Sequence, residues 1–220
     1  MRAPLNIHRS DFIDTFEVLV GQPNQQKSFT IHKNIICRRS AFFKAARSTC
    51  WTDAKKPTKL PGDQPAVFAA YLTCVYTNKV PVLKEWEEDF ALYVLADKLQ
   101  DTVSANLIMD SITDQITQSF VPDVPTMGHA FDDTHENSSL RKLMVHVAVH
   151  QHSEQMFVVG EECNANFLMA ICREYARITD PSNVYGADSS FAVDVREQVE
   201  MNRCYFHQHN EEFPARECEG

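Results

Sequence analysis

Between Thr15 and His32 apolar and polar residues alternate at every second position, in two runs separated by a short turn. Phe16, Val18 and Val20 share one face of the first run, against Thr15, Glu17 and Leu19; Phe29 and Ile31 share a face of the second, Lys27 to His32. A period of two puts successive side chains on opposite faces of a pleated backbone, so both runs read as strands buried on one side. Gly21-Gln22-Pro23-Asn24 between them is turn chemistry, since Gly and Asn tolerate left-handed dihedrals and Pro fixes φ. The pair predicts a β-hairpin, and a hairpin alone cannot bury its apolar face. The rest of the chain must supply the cover.

The cover reads as helix. Ile35, Arg39, Phe42 and Ala46 fall on one stripe, flanked by Ile36 and Phe43. Thr58 to Leu60 is a short strand ended by Pro61-Gly62. Asp63 is a candidate N-cap, because its carboxylate can accept from the unpaired first-turn amides, and Pro65 suits that first turn. Val67/Phe68, Tyr71/Leu72 and Val75/Tyr76 then recur every four residues, the cleanest helical pattern in the chain. Asn78 to Leu83, with Pro81 inside, interrupts it. Leu92, Leu95, Ala96 and Leu99 share a face over 88–99. Asp101 or Thr102 opens a further helix, with Val103, Leu107/Ile108, Ile112 and Ile116 in phase, and Pro122 and Pro125 end it.

Val121 to Asn137 is polar, acidic and contains Pro and Gly, and is read as a connector that holds the domain boundary. Beyond it Leu140, Leu143/Met144 and Val147 predict one helix, and Phe167/Leu168, Ile171 and Tyr175 a second; together they suit a helical hairpin, packed either on the first domain or on each other. From Asp194 the chain is charged and weakly patterned. The expected organisation is a domain over 10–120, a helical extension over 137–180 and an irregular tail over 181–220. The fold class is α/β (α+β): a small sheet flanked by a helical cluster, followed by helices.

Five local motifs occur in order along this plan. Asp14-Thr15-Phe16-Glu17-Val18-Leu19-Val20-Gly21 opens a strand with an acid. Phe29, His32 and Lys33 stand in an F-x-x-H-K-x-x-[aliphatic] pattern that runs to Ile36. Ser40-Ala41-Phe42-Phe43 gives S-x-x-F. Leu60-Pro61-Gly62-Asp63-Gln64-Pro65 leads to Phe68 as L-P-x-D-x-P-x-x-F, and Tyr71-Leu72 with Val75-Tyr76-Thr77 gives Y-L-x-x-x-Y-T. Each motif is weak alone; five in the right order and spacing are specific. The chain resembles the BTB/POZ domain over about residues 10–120, in the manner of divergent stand-alone fungal members. Asp14, Phe29, His32, Lys33, Ser40, Phe43, Pro61 and Tyr76 are the residues that carry it. His32 is expected to be a buried histidine whose ring nitrogens bond backbone groups.

The resemblance implies a protein–protein interaction module rather than an enzyme. Family members act as homodimers, as platforms that recruit transcriptional repressors, or as adaptors to a cullin-type ubiquitin ligase scaffold. Dimeric members often carry an extra helix before the first strand, and Ser10-Asp11-Phe12-Ile13 is too short to form one alone. Cullin-binding members tend to place a hydrophobic-x-acidic motif after the first core helix. Trp51-Thr52-Asp53 matches it, with an aromatic to anchor in a partner pocket and a carboxylate to set register. The competing reading folds Trp51 back over its own domain. No substrate-recruiting repeat accompanies the domain, so the alternative function is an oligomerisation, scaffold or transcription-recruitment module without a ligase link.

Other chemistries are less well supported by the residues. The formal net charge of −9 argues against nucleic acid and anionic membrane, which demand a basic surface. No stretch approaches the roughly 18–20 apolar residues of a membrane span, and Met1 to Ile13 lacks an apolar leader. The seven cysteines are scattered, with no C-x-x-C pair, which suits a reducing compartment: soluble, cytoplasmic or nuclear. Cys204, His207, His209 and Cys218 are the tail's candidate metal ligands, but their spacing is not one of structural zinc, and a solvated tail without metal is preferred. His146 and His150, one helical turn apart, with His152, form a second cluster read as partly exposed helix residues. No nucleophile elbow or phosphate-cradling glycine loop occurs, so no catalytic residue and no cofactor is expected.

Overall fold

The computed structural model describes residues 8–48, 56–118, 121–150, 164–179 and 203–209. By its internal contacts the chain forms two compact units, residues 1–108 with 208–220, and residues 109–207.

The first unit is built on a three-stranded sheet in the order β2-β1-β3, with β1 Thr15–Val20, β2 Lys27–His32 and β3 Thr58–Leu60. The hairpin forms as the alternation predicts: β1 pairs antiparallel with β2, setting Val18 opposite Phe29. β3 joins the other edge of β1 in parallel, setting Val20 opposite Leu60. A parallel neighbour needs a long crossover, and here helices α1 Lys33–Arg39 and α2 Ala41–Ala46 lie in it. Gly21 ends β1 at φ 101, with its amide donating to Leu60 O; a Cβ there would stand 3.2 Å from Gln25 O and from Pro65 Cγ.

The stripe from Ile35 to Ala46 is not one helix. Ser40 leaves the helical region, at φ −109 and ψ 117, and caps α2 by accepting from Phe43 N. Its hydroxyl also donates to Leu99 O. The break turns Phe43 fully inward, where its ring meets those of Phe16, Phe42 and Phe68 at 5.2–6.4 Å. Burying a ring of this size is worth about 1.5–3 kcal/mol. With Val18, Val20, Ile31 and Leu60 it forms the core under the sheet.

Helices α3 Pro65–Thr77 and α4 Trp86–Lys98 come next along the chain. Asp63 does not cap α3: the N-cap is Gln64, and the Asp63 carboxylate takes both its bonds, at 2.8 Å, from Lys98 Nζ. Pro65 sits at the first turn as expected. Asn78 stops α3 in the left-handed region at φ 54. Helix α5, Thr102–Gln118, is opened by Asp101, whose Oδ1 accepts from Ser104 N at 2.9 Å. Before β1, Arg9–Phe12 form one 3₁₀ turn rather than a helix. It is held by the buried carboxylate of Asp11, which accepts from His8 N and from Arg38 Nη2, each at 2.8 Å.

In the second unit the expected connector carries a helix. α6, Val124–Asp132, is capped by Asp123, whose side chain accepts from Thr126 N at 2.8 Å, and it buries Val124, Met127, Ala130 and Phe131. Asp123 followed by Pro125 starts this helix, so the proline opens an element instead of only closing α5. α7, Ser139–His150, packs on α6 and on α8, Ala165–Thr179. Arg203–Phe206 add a 3₁₀ turn packed on α7, and Phe206 is fully buried.

Candidate functional site

The motif residues are placed mainly by the hairpin and the first helices. Asp14 O accepts from Lys33 N at 2.8 Å and the two side chains pair at 3.5 Å, so one motif's acid locks the start of α1 to the start of β1. Phe29 meets Phe68 edge-on at 5.0 Å. Pro61 is exposed just after β3.

His32 is half-buried, and among the described residues its ring bonds no backbone group. Its Nδ1 lies 2.9 Å from the Tyr76 hydroxyl, which also accepts the His32 amide at 3.1 Å. A phenol that accepts the amide can give its own hydrogen to Nδ1, which puts the hydrogen of a neutral ring on Nε2. Phe12 covers the same ring edge-on at 5.0 Å. His32 therefore joins β2, α3 and the first turn.

Sequence reasoning missed the most polar part of this interior. Arg39 and Asp101 are almost wholly buried, with side-chain exposures of 4% and 0%. Arg39 Nε donates to Asp101 Oδ1 at 3.3 Å and Nη2 to Ser104 Oγ at 2.7 Å; the Asp101 carboxylate also accepts from Tyr71 OH, Ser104 N and Ser104 Oγ. The visible signal was a cation inside an otherwise apolar stripe. Burial and the adjacent carboxylate push the Tyr71 hydroxyl well above its usual range.

Trp51 and Asp53 lie outside the described residues. The flanks of their segment are described and are tied by one side chain. Arg47 Nη1 donates to Lys56 O at 3.1 Å and Nη2 to Thr58 Oγ1, while its guanidinium carbon stands 4.0 Å over the Phe16 ring. The chain thus leaves α2 and re-enters at β3 through one clamped base.

Of the tail's candidate ligands, Cys218 lies outside the described residues and His209 is exposed. His207 is not a free ligand: Nε2 sits 2.7 Å from Asp110 Oδ1, with the imidazole side chain 8% exposed. Among the described residues no group of three or more His, Cys, Asp or Glu side chains is placed to hold a metal ion. The His146 and His150 rings lie 4.4 Å apart, tilted by 44°, and burial, with His150 adding to it, pushes His146 down to about 4; His152 lies outside the described residues.

The second unit also contains an open groove of about 1000 Å³. α7 lends it Arg141, Lys142 and His146, and α8 lends Met169, Arg173 and Arg177. Phe131 and Phe206 form its apolar floor. Nothing in the sequence pattern pointed to it, because its walls come from the polar sides of two helices whose sequence signal lies in their apolar stripes.

No described helix is long and apolar enough to cross a membrane. No curated protein matches the chain. The family profile of the BTB/POZ domain matches residues 8–116, which span the three-stranded sheet, α1 to α4 and all but the last two residues of α5. The small sheet, the helices that cover it and the five motifs in register agree with that match, and the chain belongs to the BTB/POZ domain family, whose members are protein–protein interaction modules.

Proposed function

We propose that this BTB domain binds its partner through the segment between α2 and β3, with Trp51 as the apolar anchor and Asp53 as the charge that sets register, and that the partner is a cullin-type ligase scaffold. The observation that supports this reading is the Arg47 clamp. By holding Lys56 and Thr58, Arg47 fixes both stems of the segment that carries the hydrophobic-x-acidic motif. A binding segment with fixed stems loses less freedom on docking, so more of its contact energy appears as affinity. The test is calorimetric titration of the chain with a cullin N-terminal fragment, beside a Trp51→Ala, Asp53→Lys variant. Binding tighter than micromolar that disappears in the still-folded variant is the expected result. No complex at tens of micromolar would remove the adaptor reading.

A second reading, self-association without a ligase link, is favoured by the end of the first turn. Ile13 is 80% exposed and Phe12 49% exposed, immediately ahead of β1. Sedimentation of the chain and of an Ile13→Asp variant checks it: a dimer lost in the variant supports self-association there, and a monomer at all concentrations discards it.

A further inference from the structure

The groove of the second unit carries a charge balance opposite to that of the chain. Four cations line it, Arg141, Lys142, Arg173 and Arg177, against the carboxylates of Glu136 and Glu174. Arg177 and Glu174 neutralise each other through two bonds, at 2.6 and 2.9 Å. Three cations then stand against Glu136 alone, in a chain whose net charge is −9. An acidic ligand is repelled by most of this molecule and attracted here, which is how electrostatics selects a docking place and orientation.

The groove is not merely a basic surface. Phe131 and Phe206 give it an apolar floor, and the exposed side chains of Met169 and Tyr205 stand in its lining. The two exposed side chains suit one aliphatic or aromatic anchor. His146 lines the same space, and its Nε2 has no hydrogen-bond partner among the described residues. A buried ring nitrogen left without a partner gains from a ligand that supplies one. Lys142 and Arg173 are exposed. A long polyanion such as nucleic acid would need a contiguous basic track, and the acidic balance of the chain opposes it.

We infer that the groove between α7, α8 and the Arg203–Phe206 turn is a second protein-docking site, which takes a short acidic peptide segment of a partner with one apolar anchor among its carboxylates. It is separate from the proposed cullin contact and stands without it. Carboxylates meet Lys142 and Arg173, the anchor packs against the exposed side chains of Met169 and Tyr205, and a polar group of the peptide reaches His146.

The test is fluorescence polarisation on the full chain. The probe is a short fluorescein-labelled peptide of Glu and Asp flanking one Leu, with controls in which Leu becomes Ser or the acids become Lys. The expected result is saturable binding of the first peptide that weakens with salt. It should fall on the order of tenfold or more in Lys142→Glu, Arg173→Glu, where charge-assisted contacts become repulsive. Met169→Glu should weaken it independently of those two sites, and Trp51→Ala, Asp53→Lys should leave it unchanged, separating this site from the cullin reading. Equal binding of the Ser control, no binding, or full retention in the charge-reversed chain would each overturn the inference. Self-association abolished by the same variants would assign the groove to a second copy, and binding seen only after removal of residues 210–220 would assign it to the chain's own tail. Either result would displace the partner peptide.

Discussion

Arg39 and Asp101 are 62 positions apart along the chain and 3.3 Å apart in the fold. The pair joins the end of α1 to the start of α5, and Tyr71 of α3 adds a third helix to the same carboxylate at 3.1 Å. Because both charges are buried and hydrogen-bonded, the pair fixes which helix ends meet. Its net contribution to stability is small beside the cost of breaking it on one side.

Arg39→Met should therefore destabilise the first unit by about 3–5 kcal/mol, since the Asp101 charge is left in the interior. Adding Asp101→Asn, which keeps the cap on Ser104 N, should recover a substantial part of that loss. Urea unfolding of the two single variants and the double variant measures the coupling; additive losses would show that the pair does not act as a unit.

Gln100 is held at φ 54 with its side chain exposed, and its carbonyl accepts from Ala41 N at 3.3 Å. An L side chain in that region costs about 1–2 kcal/mol, and glycine does not suffer it. After the larger unfolded-state entropy of glycine is subtracted, Gln100→Gly should stabilise the chain by about 0.5–1 kcal/mol. A higher melting temperature is the readout, and a lower one would mean that the Gln100 side chain contributes more than its exposure suggests.

His146 gives the second unit a pH dependence. Burial, and behind it the positive potential of His150, lowers its pKa from the ordinary 6.5 to about 4, with Glu174 acting in the opposite direction. Between those values the unfolded chain binds a proton that the folded chain refuses, so stability rises with pH there. The contribution is complete above pH 6.5 and is lost as pH falls toward 4. The ring is partly open to solvent, and the screened magnitude is about 1–3 kcal/mol. In His146→Phe, unfolding midpoints at neutral and mildly acidic pH should lie closer together than in the parent; an unchanged slope would place the proton elsewhere.

Cys74 is buried in α3, and desolvation raises its thiol to about 12. Only the thiolate reacts, so native labelling at pH 8 should be roughly a thousandfold slower than for an unperturbed thiol. Cys172 on α8 is exposed and should label early. Site-resolved mass spectrometry after brief alkylation checks the order, and early modification of Cys74 would mean that α3 opens locally.

The parts legible in the sequence are those where one period decides. Phe16, Val18 and Val20 can only line one side of a strand, and Val67 to Tyr76 only one side of a helix. Ser40 is not legible, because the apolar stripe passes through it without a break in phase; its extended backbone is set by the bonds it makes to Phe43 N and Leu99 O. Asp123 and Pro125 carry a helix-start signal that local chemistry alone does not separate from a terminator. Asp63 is a sound cap by local chemistry, but a lysine 35 positions away holds it at 2.8 Å. The groove's residues give no sequence signal at all: Arg141, Lys142 and Arg173 look like any solvated helix face until α7 and α8 are laid side by side.

Asn106 is fully buried, and its amide is met by Gln208: Asn106 Nδ2 donates to Gln208 O at 2.9 Å and Gln208 N donates back to Oδ1 at 2.7 Å. The Gln208 side chain continues to Tyr93 OH and Asp97 Oδ1. These bonds span 102 residues of sequence. At a synthesis rate of about 5–20 residues per second, the interval between the two translation events is roughly 5–20 s. Throughout it the helices of the first unit can form, but the Asn106 carboxamide has only water to bond. A nascent chain therefore carries a built-in delay: the first unit to be translated is sealed last, by the strand of polypeptide that returns after the second unit has been made.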